Sequence, residues 1–229
     1  ITYQDDMLAS ARRMVPILVG IMALAFASYL ALKGFKKIYK VDMPTALMIG
    51  SVVAIIIYYL SRPWVNRKSK KESNDKAGVN SLFTIPLIFA AAMLSFAHGA
   101  NDVANSIGPL AAIDDALTTH GISTKAHIPL WVMLVGAIGI SLGLALYGPK
   151  LIKTVGSEIT ELDKMRAFCI ALSAAITVII ATQLGLPVSS THIAVGAVFG
   201  VGFLREYLKR NYSRMMEEIQ LHHMGRDKT

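Results

Sequence analysis

Cysteine is nearly absent: Cys169 stands alone in 229 residues. A single thiol excludes a disulfide framework and a thiol-metal cluster, and inside an apolar run it reads as a small buried hydrophobe. Charge is scarce too. Only 17% of residues are charged, against roughly a quarter in soluble domains, while 54% are hydrophobic. The scarcity is concentrated. Between residues 81 and 113 there is no Lys, Arg or Glu, and Asp102 is the only acid. Between residues 167 and 204 there is no Lys or Arg. These stretches exclude an ordinary soluble domain.

Apolar runs of spanning length take the place of charge. Residues 14–32, 44–60, 128–147 and 167–184 carry no charged side chain, and each approaches the ~20 residues that a helix needs to cross a bilayer. They predict an all-α, multi-pass protein of a cell membrane, plasma or inner. The first run follows Arg12 and Arg13, yet it is too long for a signal peptide and lacks a small-x-small cleavage site. The net charge of +8 sits in short segments beside the spans, where the positive-inside rule accounts for it. No nucleic-acid partner is expected.

Four regions follow from the pattern. Residues 1–62 hold two spans, 63–80 a basic cytoplasmic linker expected to be flexible, 81–204 an apolar repeat, and 205–229 a basic amphipathic tail. The repeat is interrupted at "HGAND" and again at "GLPVSSTH", which predicts two discontinuous helices. Charge ranks the topologies. If 81–113 crosses once and 167–204 enters and returns, most cations share one side. Only Lys33, Lys36, Lys37, Lys40 and Lys125 then lie opposite, which favours cytoplasmic termini. Leu204, Leu208, Tyr212, Met215 and Ile219 recur at helical spacing, predicting an amphipathic helix that lies along the membrane surface or packs on a neighbour. His222 and His223 read as part of a solvated tail rather than a metal site.

The two interruptions carry the chemistry. A carboxylate within a membrane segment is costly and is a functional candidate by default. Asn101 and Asn105 are four apart and share a helix face, with Asp102 beside it. That set of oxygens suits a small hard cation; the bland reading is an Asx cap on the following helix. In the second interruption, Gly185 and Pro187 bend the chain and a helix restarts near Ser189. Ser189, Ser190 and Thr191 then occupy a first turn with unpaired N–H groups at the positive end of the dipole, an anion site. His192 is either a substrate contact or a histidine packed on a carbonyl, and His98 reads as structural. Gly139 with Gly143, and Gly196 with Gly200, form small-xxx-small pairs expected to bring helices close. A serine hydrolase using Ser189 or Ser190 with His192 and Asp102 is the rival class, but serine and histidine on one helix start face each other poorly.

"GANDVANSIGPLAAI" together with "GLPVSSTHIAVGAVFGVG" closely resembles the inorganic phosphate transporters of the PiT family, the sodium-phosphate symporters. The resemblance covers residues 82–204 well and the earlier spans only by position. It implies cation-driven phosphate uptake through two inverted repeats, often in a dimer, with sodium as co-substrate and no other cofactor. By this resemblance phosphate is expected on Ser189, Ser190, Thr191, His192 and Asn101, and sodium on Asn101, Asp102, Asn105 and Thr191. Such transporters carry the motif pair twice, whereas here it occurs once and resembles the second half's version. The chain, opening on Ile1, is therefore expected to be a C-terminal half whose site the N-terminal half completes. Protons in place of sodium, and sulfate in place of phosphate, stay open.

Overall fold

The computed structural model describes residues 6–34, 41–119, 128–154 and 163–226. Among these residues every regular element is helical, and five helices are long and apolar enough to cross a membrane. This is the all-α, multi-span fold expected from the apolar runs.

Helices α1 (Met7–Gly34) and α2 (Met43–Ser69) form an antiparallel hairpin. Their contacts set the direction: a Cβ on Gly20 would face Ala54 and Tyr58, and one on Gly50 would collide with the Ser28 side chain. Gly50 is thus the point of closest approach. Both helices outrun the apolar runs, because α1 already includes Arg12 and Arg13 and α2 continues through Arg67 and Lys68. Lys and Arg are good helix formers, so the helix persists where hydropathy stops.

The basic linker is a correction to expectation, since it is largely helical and tied down. Lys68 Nζ donates to the Ser81 carbonyl at 2.7 Å, Ser81 Oγ to Glu72 Oε1 at 2.6 Å, and Leu8 N to Asn74 Oδ1 at 3.0 Å. Asp75 caps the short α3 (Lys76–Leu82) by accepting from Gly78 N at 2.7 Å. That bond, with one from Ser73, holds the Asp75 carboxyl below its ordinary range.

Helix α4 (Thr84–Thr119) runs through "HGAND" without a break, so the first expected interruption is absent and Asn101 and Asp102 cannot be N-caps there. A glycine inside a helix costs only about 1 kcal/mol, and the neighbouring Asx side chains find partners on another segment instead of their own backbone. Helix α5 (Leu130–Thr154) returns antiparallel to α4, with Gly136 against Ile107 and Val132 packed on Ile107 and Ala111. Helix α6 (Lys164–Gln183) runs parallel to α4. Lys164 Nζ donates to Thr84 Oγ1 at 3.0 Å at one end, and Asn101 reaches the carbonyl of Val188 at the other. Helix α5 thus runs opposite to both α4 and α6.

The core lies where α1, α3, α4 and α6 converge on Phe83 and Phe168, both fully buried with ring centroids 5.4 Å apart. Cys169 packs against its edge, as a small hydrophobe does. By contrast Leu134, Ile138, Leu142 and Leu146 of α5 are exposed, which suits a bilayer. Among the described residues the small-residue pairs do not act as expected: none lies within 4 Å of a Cβ placed on Gly139, Gly143, Gly196 or Gly200. Close approach occurs at Gly50 and Gly136 instead.

Helix α7 (Ser190–Arg226) continues as one helix past residue 205. Leu204 and Leu208 of the tail stripe are exposed. The side chains of Tyr212, Met215, Ile219, His222 and His223 lie outside the described residues, as do Lys36, Lys37, Lys40 and Lys125.

Candidate functional site

The second interruption is present, and its local chemistry explains it. Gly185 adopts a left-handed φ of +69°, which glycine reaches without a Cβ penalty. Leu186 N then donates to Ala181 O at 3.0 Å and Gly185 N to Thr182 O at 3.3 Å, the paired bonds of a Schellman stop. Pro187 follows and cannot continue the helix. Ser189 restarts it as the N-cap of α7: its hydroxyl accepts from His192 N at 3.3 Å, and its carbonyl accepts from Ile193 N at 3.1 Å. The backbone N–H groups of Ser190 and Thr191 are left over by the helix.

This restart faces the Asx cluster of α4. Ser190 is only 1% exposed, and its Oγ lies 2.7 Å and 2.9 Å from the two Asp102 carboxylate oxygens, to which it donates. His98, one turn earlier on α4, places Nε2 2.8 Å from Asp102 Oδ2. An ionised carboxylate only accepts, so the imidazole holds its proton on Nε2. Asn101, 4% exposed, and Asn105 both donate through Nδ2 to the Val188 carbonyl, at 2.9 Å and 3.1 Å. Because a carbonyl faces each amide nitrogen, each Oδ1 must point the other way. Asp102, Asn105, Ser189 and Ser190, with Ile140 of α5, line an open cavity of about 430 Å³.

Of the residues singled out from the sequence, Asn101, Asp102, Asn105 and Ser190 are brought together. Ser189 caps the helix at the cavity rim. His192 is exposed and turns its Nδ1 to Ser189 Oγ at 2.7 Å; Thr191 is exposed. Neither hydrogen-bonds to the Asp102 cluster. His98 and the Val188 carbonyl were missed. The spacing of four between His98 and Asp102 was a legible signal, since it puts both on one helix face. A backbone carbonyl freed by a helix stop leaves no mark of its own.

A carboxylate on one membrane helix, bonded to the start of another that begins within an apolar segment, defines a class: a multi-pass membrane protein with a polar site between helices. The chain belongs to the phosphate transporter family, whose sequence pattern matches residues 1–225. A candidate phosphate permease of Helicobacter pylori is 58% identical over 235 residues, covering 99% of this chain and 44% of that protein. The sodium-dependent phosphate transporter 1-A of Xenopus laevis is 44% identical over 136 residues, 59% of this chain and 20% of that protein. A solved structure, the sodium-dependent phosphate transporter, matches with a TM-score of 0.77 at 32% identity, covering 90% of this chain and 50% of that one. The chain thus spans half or less of the length of these relatives.

These relatives are transporters and permeases, not enzymes. The geometry agrees: Ser190 Oγ donates to the carboxylate, and the His98 nitrogen 3.3 Å from that hydroxyl, Nε2, is the same one that faces Asp102. In a hydrolytic triad the hydroxyl would donate to an imidazole that the carboxylate orients through the other ring nitrogen.

Proposed function

We propose that this chain supplies one half of the binding site of a transporter that moves inorganic phosphate together with sodium. The observation that carries the reading is the double contact of Ser190 Oγ with Asp102 at 2.7 Å and 2.9 Å. It joins the candidate cation ligand to the candidate anion cradle through one hydroxyl. Residues 81–204 are the repeat that carries both motifs, preceded by the hairpin of 1–62 and the linker of 63–80 and followed by the tail of 205–229. The N-terminal half completes the site, and the assembled transporter pairs as a dimer.

Phosphate sits at the start of α7, on the N–H groups of Ser190 and Thr191 and the hydroxyls around them, with His192 and the Asn101 side chain at its edge. The positive helix end and these donors replace its hydration where no Lys or Arg is within reach along 167–204. Sodium is held by Asp102, by Oδ1 of Asn101 and Asn105, and by the Thr191 hydroxyl. When sodium takes over the carboxylate, Ser190 is released from it and its proton turns to phosphate. Each ion therefore raises the affinity for the other.

The test is phosphate uptake by the intact protein in proteoliposomes, with sodium replaced by choline over roughly pH 6 to 8, where a histidine changes charge. Loss of uptake in choline at every pH supports the reading. Uptake that persists in choline and follows a proton gradient selects proton coupling. Equal inhibition by sulfate would move the substrate class to oxyanions in general.

A further inference from the structure

We propose that the seam between α1 and α2 is a binding site for an anionic phospholipid, with its phosphate on Arg12, Arg13 and Arg62 and an acyl chain along the groove beside them. None of these residues belongs to the Asp102–Ser190 cluster, so the proposal stands or falls apart from the transport reading.

A cavity of about 430 Å³ opens between the first turns of α1 and the second half of α2, lined by Arg12, Arg13, Arg62, Tyr58 and Asn66. Three guanidinium groups share it, and among the described residues no ion pair joins any of them to a carboxylate. Arg12 Nε is shielded from solvent without a hydrogen-bond partner. A buried, unpaired donor on a charged group is costly, and like charges gathered without a counter-ion repel one another. Phosphate oxygens answer both, since guanidinium groups bind them through paired N–H donors.

The place of the cavity indicates the carrier of that phosphate. Arg12 and Arg13 end the apolar run of α1, and Arg62 ends that of α2, so the three sit at a membrane boundary where basic pockets between helices hold lipid headgroups. Directly inward along the same seam lies an apolar groove of about 400 Å³, formed by Ile17, Gly20, Ile21, Ala54 and Ile55. Tyr58 lines both the cavity and the groove. A cationic headgroup pocket running into an apolar channel matches a phospholipid from head to tail. A free, hydrated phosphate would gain nothing from the groove.

Native mass spectrometry of the intact protein, released from micelles holding phosphatidylglycerol and phosphatidylcholine in equal amounts, tests the proposal. The expected result is retention of phosphatidylglycerol over phosphatidylcholine by about tenfold, the size of one charge-assisted hydrogen bond. Arg62 is exposed, so R62Q should fold normally and lower that preference, and R12Q/R62Q should abolish it. Ala54→Phe, which fills the groove but keeps every arginine, should weaken retention of both lipids. Millimolar inorganic phosphate should displace neither. Equal retention of the two lipids, or unchanged preference in R12Q/R62Q, would overturn the proposal. Displacement by inorganic phosphate with no effect of Ala54→Phe would also overturn it, leaving a free-phosphate site.

Discussion

Exchanging Asp102 for Asn removes one charge while keeping the side chain's shape. The new amide retains an oxygen that can accept from Ser190, so the contact that closes α7 on α4 survives at Oδ1. Its nitrogen would face His98 Nε2, and the imidazole can meet it by moving its own proton to Nδ1. What is lost is the attraction for a cation. At an effective dielectric of about 20, a unit pair roughly 4 Å apart is worth about 4 kcal/mol. The Asp102 side chain is 29% exposed, so solvent screens part of this, and about 2–4 kcal/mol is the expected loss. Half-saturating sodium should then rise roughly 30- to 700-fold, at 1.4 kcal/mol per factor of ten. The assay is phosphate uptake by the intact protein in proteoliposomes at stepped sodium concentrations, with the amount of inserted protein quantified. Sodium dependence within about twofold of wild type, at normal insertion, would refute the assignment of Asp102 as a cation ligand.

Other perturbations read neighbouring parts of the site. Ser190→Ala removes a buried donor to a carboxylate; thermal unfolding in detergent should show a loss of about 1.5–3 kcal/mol, and half-saturating phosphate should rise with it. Unchanged phosphate dependence would separate Ser190 from the anion. Gly185→Ala forces a Cβ into the left-handed region and should cost about 1–2 kcal/mol, while a neutral result would show that the Schellman stop bends to tolerate it. At the linker, the Asp75 carboxyl is held low by its bond from Gly78 N. Its folded value lies below the ordinary ~3.9, so its stabilisation of α3 is present above that value and disappears as pH falls through the lowered one. The protection factor of the Gly78 amide, its exchange corrected for the intrinsic rate at each pH, should therefore fall in acid in the wild type but be nearly insensitive to that titration in Asp75→Asn.

The spans were legible because run length is a direct physical demand of the bilayer, and that demand acts on composition alone. Helix ends were not. α2 continues to Ser69 because Arg67 and Lys68 favour helix as well as they favour water, and hydropathy registers only the second property. The two interruptions show the same division. Gly185 and Pro187 stop α6 by backbone geometry, which those residue types impose wherever they fall, and the stop is where the sequence placed it. Gly99 with Asn101 and Asp102 only permits a break. Whether it occurs depends on where the Asx side chains find partners, and Val188 lies 87 residues from Asn101. His98 was legible through its spacing of four to Asp102, while its 3.3 Å approach to Ser190 Oγ was not. Its meaning comes from the carboxylate one turn on and from Ser190, brought beside it by α6 running parallel to α4.

One consequence of that packing bears on how the two ions depend on each other. Asn101 and Asn105 pin the Val188 carbonyl with their amide nitrogens, and Val188 is two residues before the first residue of α7. The oxygens proposed to meet sodium therefore belong to the same side chains that position the anion cradle. A cation that pulled on either Oδ1 would rotate the amide and shift its hold on Val188, moving the start of α7 as a unit with Ser190. The Ser190–Asp102 bond works in the same direction, because a cation on the carboxylate weakens the hold on that hydroxyl. On the proposed assignment, cation binding on α4 and donor orientation on α7 would be two descriptions of one rearrangement. Neither step needs a protein charge other than Asp102.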